Sequence, residues 1–221
     1  MPPSSMASAI HPQPRSHRVG TPPGAYVRIW KPGVDRILAV ILILLSAPGM
    51  ALLAVVIRVT LGQDVFFRQS RIGQQGRPFN VLKFRTMLPD RRRAQVPIAF
   101  PDRRCMHKTK NDPRHTGIGR FLRRWSLDEL PQLFNVVRGQ MSLIGPRPEL
   151  PSVVARYEPW QHVRHNVKPG MTGLWQVVAR GVDPMEERID LDIYYVQSLS
   201  PALDLKILMT TAKAVIARRG E

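Results

Sequence analysis

The sequence predicts an α+β fold, mainly helical, with a small β-hairpin, a re-entrant membrane helix and amphipathic helices at the membrane interface. Three features predict it. Ile37 to Ile57 is a run of 21 residues without a charge. Two short alternating stretches then flank a connection rich in Gly and Pro, and the remaining chain carries helical spacing broken by turns. At 221 residues with 43% hydrophobic content, the chain supports one domain with a real core and excludes wholesale disorder. A formal charge of +17 attracts anions, whether nucleic acid, acidic lipid or phosphorylated substrates, and does not choose among them.

The order of segments follows composition. Residues 1–28 are rich in Pro, Ser, Gly, His and Arg and read as a disordered tail, because they bury too little apolar surface to offset the entropy of ordering. No apolar core follows a short charged start, so the tail lacks the pattern of a signal peptide. Residues 29–58 form the membrane helix and 59–221 the domain beyond it. At about 1.5 Å per residue the uncharged run is roughly 32 Å long, enough to cross a bilayer core of about 30 Å. Pro48 and Gly49 lie near its middle, where proline removes a helical hydrogen bond, so a break is expected there. Lys31 and Arg36 precede the run while Arg58, Arg68 and Arg71 follow it, which asks for both ends on the cytoplasmic side. A helix that enters, bends and returns satisfies both ends, with Ser46 serving the freed backbone groups beside Pro48. A kinked spanning helix is the alternative.

Asp64 to Ser70 and Phe79 to Met87 alternate as strands around "RIGQQGRP" and read as a hairpin with a longer loop. Lys83 and Arg85 share one face of the second strand. The following stretch, 88–110, is basic, rich in proline and without a period, and reads as a loop against anionic lipid. It holds the single cysteine, Cys105, which has no partner for a disulfide and no metal-ligand spacing.

"RRWSLDELPQL", Arg123 to Leu133, places Asp128 and Glu129 side by side in this basic chain. Two readings fit. Ser126 with Glu129 three residues on matches a capping box worth about 1 kcal/mol, although Pro131 can move the helix start past both acids. Alternatively, a carboxylate kept ionised among cations is a nucleophile towards phosphorus and a hard oxygen ligand for Mg²⁺. Arg114, Arg120, Arg123, Arg124 and Arg147 are then available to hold phosphate oxygens.

Four blocks in order carry a resemblance: "VFFRQSRIGQQGRPFNVLKFRTM", "DPRHTGIGRFLRRWSLDELPQLFNVVRGQMSLIGPRP", "KPGMTGLWQV" and "LDIYYVQSLSPALDLKIL". From about Lys31 to its end the chain resembles the bacterial sugar transferases, monotopic polyprenyl-phosphate phosphoglycosyl transferases. The resemblance implies transfer of a sugar 1-phosphate from a UDP-sugar to undecaprenyl phosphate, with release of UMP and a start to membrane glycan assembly. It implies Mg²⁺ as cofactor and the cytoplasmic face of the bacterial inner membrane as location. Membrane lipids are implied as partners, nucleic acid is not, and a homodimer is allowed. Carried over by position, Asp128 is the nucleophile and a Mg²⁺ ligand, and Glu129 supports the metal and helps deprotonate the lipid phosphate. Arg123 and Arg147 hold phosphates, while Lys83 and Asp192 match further polar positions of the substrate site.

Departures exist as well. Pro32 stands where relatives open the membrane segment with arginine, and Ala47 separates Ser46 from Pro48 where the family has adjacent Ser-Pro. "QVVARG" also differs from the usual stretch, with a bearing on sugar choice. The C-terminal part reads on its own terms. "KPGMTG" is a loop whose backbone either approaches a nucleotide beside Trp175 or makes a structural turn over a core tryptophan. Asp204 to Arg219 places Leu205, Leu208, Ala212 and Val215 near one helical face, as an interfacial helix would, with Lys206 and Lys213 for head groups. His162 and His165 have the spacing of a helical metal pair without a third ligand nearby. A basic membrane-anchored module that binds lipid or nucleic acid is the rival to the enzyme, and it leaves the ordered motifs unexplained.

Overall fold

In the computed structural model, residues 26–62, 64–88, 116–178 and 188–216 are described. The fold is mostly helical with two small sheets. A π-helical turn, Tyr26–Trp30, leads into α1, Lys31–Leu61. Only the last three residues of the expected tail are therefore described, and they are helical rather than tail. Pro32 falls in the first turn of α1, where a missing N–H costs nothing, and Gly62 ends the helix at φ 95°. At about 1.5 Å per residue, α1 is roughly 46 Å long. The break expected at Pro48 does not interrupt it: helical geometry continues on both sides of the proline. Ser46 Oγ donates to the Leu42 carbonyl at 2.6 Å, and the flanking turns retain enough hydrogen bonds to carry the loss at one position.

Most of α1 faces outward, with Leu44 and Leu45 70% and 75% exposed. Its contacts lie in two patches. Ala39 and Ile43 pack with Val81, Leu133, Val136 and Met141. Met50, Leu53, Ala54, Ile57 and Leu61 pack with Phe84, Ile118 and Leu122.

The hairpin pairs β1, Phe66–Ile72, with β2, Pro78–Phe84, in antiparallel register from Phe66 opposite Phe84 to Ile72 opposite Pro78. β1 reaches two residues closer to the turn than expected and β2 one. Gln75, at φ 56°, and Gly76, at φ 73°, bend the chain tightly enough for Arg71, Ile72 and Pro78 to join the ladder. The loop and cysteine expected over 88–110 lie outside the described residues, Leu88 excepted.

Helix α2, Gly117–Arg124, is capped by Thr116, whose Oγ1 accepts from Gly119 N at 3.0 Å. Gly119 has no room for a side chain, since a Cβ there would meet the Thr86 carbonyl at 1.8 Å. Helix α3, Gln132–Val137, docks on β2 through Asn135, which is fully buried. Its amide donates to Asn80 O at 2.8 Å and accepts from Leu82 N at 3.0 Å, occupying the edge of β2 that β1 leaves open.

The second sheet, absent from the expectations, pairs β3, Ser142–Ile144, in parallel with β4, Gly170–Thr172. Gly145 and Gly170 touch backbone to backbone, a Cβ on Gly170 meeting Gly145 N at 2.1 Å. The "KPGMTG" glycine thus has a structural task, and Trp175 on α5, Leu174–Val178, packs against the adjoining core. Between the two strands lie α4, Pro151–Val154, and a 3₁₀ stretch, Pro159–Asn166. The chain closes with α6, Ile189–Gln197, and α7, Pro201–Ile216. On α7, Asp204 and Ile207 are buried while Leu205, Leu208 and Met209 are exposed, leaving an apolar face outward.

A buried polar knot ties these ends together. Asp204 accepts from Lys31 Nζ at 2.7 Å, Tyr26 OH at 2.8 Å and Tyr195 OH at 2.7 Å. One helical turn beyond Lys31, Asp35 accepts from Ser142 Oγ on β3.

His165 is buried and stacks on Tyr157. Among the described residues neither ring nitrogen has a hydrogen-bond partner. No third His, Cys, Asp or Glu joins it and His162 as a metal group among the described residues. Burial, with the charge of Arg164 second, pushes its pKa down to about 4.

Two outcomes are expected. Asn135→Leu strands the Leu82 N–H and the Asn80 carbonyl, and thermal denaturation should show a loss of about 2–4 kcal/mol. For His165 the unfolded chain binds the extra proton between its ordinary pKa of about 6.5 and 4, so stability falls as pH drops through that window. His165→Phe keeps the ring stacking and should reduce the wild-type loss between pH 6.5 and 4 by up to about 2 kcal/mol in denaturant melts.

Candidate active site

The turn that carries the acids is set by Ser126. It adopts the left-handed conformation at φ 56°, which bends the chain between α2 and α3 and stores on the order of 1 kcal/mol of strain. Left-handed geometry is incompatible with an N-cap, and the Ser126 side chain makes no cap hydrogen bond, so the expected capping box is absent. A single 3₁₀ turn, Leu127–Glu129, follows, and Pro131 precedes α3. The helix start has moved past both acids, leaving them at its favourable positive end.

The two carboxylates have different surroundings. Glu129 Oε1 accepts from Lys83 Nζ at 2.7 Å and lies 3.7 Å from Arg147 Nη2. Lys83 reaches it because Asn135 fastens β2 against α3. Asp128 is 8% exposed, and among the described residues no side-chain cation closes on it within salt-bridge distance. Burial pushes its pKa up to about 6, against the charges of Lys83 and Arg123, with Glu129 adding to the rise. A basic cleft was expected to hold this acid firmly ionised. The burial offsets the cations, yet at neutral pH the carboxylate still carries its charge.

Arg147 is placed from behind. Arg164, almost wholly buried, donates from Nη2 to the Arg147 carbonyl at 2.6 Å and from Nη1 to Tyr157 OH at 2.6 Å. The same Nη2 donates to Asp192 Oδ2 at 2.5 Å, in an ion pair whose side chains are both 1% exposed. Asp192, grouped from sequence with the substrate site, therefore lies in the scaffold behind Arg147 rather than at the surface with Lys83 and Glu129. Arg71 adds a further cation, its Nη1 donating to Pro148 O at 3.2 Å and lying 3.7 Å from Glu149. Burial first, and then the charge of Arg147, pushes its pKa down to about 10.

Lys83, Arg123, Arg147, Asp128 and Glu129 are thus brought into one electrostatic cluster. Ser46 and Pro48 lie apart on α1. Arg114 is outside the described residues. Sequence reasoning missed Asn135, Arg164, Arg71 and Glu149 as parts of this assembly. Arg71 falls in what reads as loop sequence, and Arg164 in a 3₁₀ stretch where no period signals burial. Only the charge of "GPRPE" hinted at Glu149. Chemically, the arrangement pairs a buried carboxylate without a salt-bridge partner with cations able to hold anionic oxygens.

Comparison with known proteins agrees with this geometry. Residues 26–218 match the family described as bacterial sugar transferase. The chain is 36% identical over 198 residues to the exopolysaccharide production protein ExoY of Sinorhizobium fredii, covering 87% of this chain and 88% of that protein. It is 42% identical over 165 residues to the uncharacterized sugar transferase EpsL of Bacillus subtilis, covering 75% and 76%. It is also 37% identical over 202 residues to the UDP-glucose:undecaprenyl-phosphate glucose-1-phosphate transferase of Escherichia coli. That match covers 86% of this chain and 41% of the larger protein. Nine-tenths buried acid, surrounding cations and matched sequence lead to one assignment: the chain belongs to the bacterial sugar transferase family, and is a transferase.

Proposed function

We propose that this protein transfers a sugar 1-phosphate from a UDP-sugar to undecaprenyl phosphate and releases UMP. The observation that carries the reading is the contrast between the two acids: Glu129 is engaged by Lys83, while Asp128, buried inside the same positive field, has no salt-bridge partner among the described residues. The names of relatives in Escherichia coli and Salmonella typhimurium, the latter an undecaprenyl-phosphate galactose phosphotransferase, support the substrate classes.

In the first step an Asp128 carboxylate oxygen bonds to the phosphorus that bears the sugar. The bond from that phosphorus to the bridging oxygen breaks, and UMP departs with the electron pair. In the second step an oxygen of undecaprenyl phosphate attacks the same phosphorus, the aspartyl–phosphorus bond breaks, and the carboxylate is restored. Two dissimilar substrates then use one anion site in turn. Arg123 and Arg147 hold phosphate oxygens, and Lys83 keeps Glu129 ionised and oriented to receive a proton from the lipid phosphate. The donor chemistry fits Mg²⁺: two hard carboxylates, with no His or Cys joining them in a metal group among the described residues, suit an ion that takes its remaining ligands from phosphates and water. Asp128 is the residue to hold it, and when bound it supplies neutralisation of diphosphate charge.

The same reading puts α1 in the cytoplasmic leaflet as a re-entrant helix that turns by a bend at Pro48, the helix otherwise continuing through the proline. Both of its packing patches touch the domain that carries the ionic site, which supports both ends lying on one side of the membrane. Its exposed, largely uncharged length suits lipid contact.

Mass spectrometry of protein incubated with Mg²⁺ and a panel of UDP-sugars should find a phosphosugar adduct on Asp128. Asp128→Asn should abolish the adduct and slow UMP release at least about a thousandfold, and an unchanged adduct sinks the assignment. On a Cys105→Ser background, cysteines introduced at both ends of residues 31–58 should label from the same side of sealed vesicles. Labelling from opposite sides would make α1 a spanning helix.

A further inference from the structure

Away from the acids, two cations converge on Gly139. A Cβ built on Gly139 would lie 2.6 Å from Arg36 Nη2 and 3.6 Å from Lys168 Nζ. Gly139, at φ 76°, follows the C-cap Arg138 of α3, whose side chain is exposed. Among the described residues neither Arg36 nor Lys168 has a hydrogen-bond acceptor or an ion-pair partner. Asp35, the acid that Lys168 feels, is already held by Ser142 and Lys31. The backbone of Lys168 is fixed, its own carbonyl packed against Gly145 and the next residue's carbonyl accepting from Ser142 N. Partial burial, with the charge of Arg36 second, lowers its pKa from the ordinary lysine value. Like charges fixed this way are stabilised by an anion between them.

The surroundings select the kind of anion. The next turn of α1 exposes Ile37, Leu38, Val40 and Ile41, and α3, which ends just before Gly139, exposes Phe134 and Val137. An anion joined to apolar chains matches both halves. We propose that Arg36 and Lys168, brought together beside Gly139, form a seat for the phosphate of an anionic phospholipid, its acyl chains lying along α1. The inference is independent of the transfer chemistry and stands or falls separately from it.

Native mass spectrometry of the full chain in detergent, given equal amounts of dioleoyl phosphatidylglycerol and dioleoyl phosphatidylcholine, tests it. Wild type should retain phosphatidylglycerol in preference. Arg36→Gln with Lys168→Gln should cut that preference by about fivefold per cation removed, while Arg77→Gln on the hairpin turn leaves it unchanged. Gly139→Asp is the second variant. It keeps both cations, tolerates the left-handed backbone better than most residues, and sets a carboxylate against Arg36, whose flexible end shifts to admit the Cβ, so it should lose the preference equally. It decides the matter if the double variant fails to fold by circular dichroism. An undiminished phosphatidylglycerol preference in a folded variant overturns the seat. Displacement by millimolar inorganic phosphate would make it a simple anion hole, and selective loss of undecaprenyl phosphate adducts would give it to that lipid; each overturns the phospholipid assignment.

Discussion

The contact between Lys31 and Asp204 governs how the molecule is put together. It joins the first turn of the apolar helix to the last helix of the domain across 173 residues of sequence, and it is shielded from water. Removing one partner of such a pair leaves a buried charge uncompensated, which costs about 3–5 kcal/mol in comparable proteins. Tyr26 and Tyr195 satisfy the remaining oxygen positions of Asp204, and the parallel contact from Asp35 to Ser142 ties the next turn to β3. These few bonds fix the foot of α1 against the domain.

The site itself illustrates how environment separates two chemically similar groups. Asp128 and Glu129 are adjacent, yet a tight 3₁₀ turn sends one inward and the other towards Lys83. The inward residue loses water and is held at a higher pKa, and the outward one gains a counterion. A chain with excess positive charge thereby pairs its lysine with one acid and buries the other.

How far the sequence is legible depends on whether the signal is local. The uncharged run, the hairpin and the adjacent acids are each visible within a short window, and each appears in the structure with boundaries moved by a few residues. The parallel pairing of β3 with β4 is not visible, since three-residue strands brought together across more than twenty residues have no period to read. Asn135 looks like any polar residue of a short helix, although it secures β2 to α3. Ser126 misleads for a definite reason: its spacing to Glu129 satisfies a capping pattern, while the direction of the chain there demands a left-handed turn. Pro48 misleads in the opposite sense, because a proline strong enough to end a short helix is tolerated within one of 31 residues.

The spacing of Lys31 and Asp35 on α1 bears on the order of assembly. Synthesis delivers the apolar helix long before Ser142 and Asp204 exist, so two charges must enter the membrane interface without their final partners. Standing four residues apart, they are 3.6 Å from one another and can neutralise each other in the interval. The pair persists in the folded chain, where Ser142 and Asp204 add to it rather than replace it.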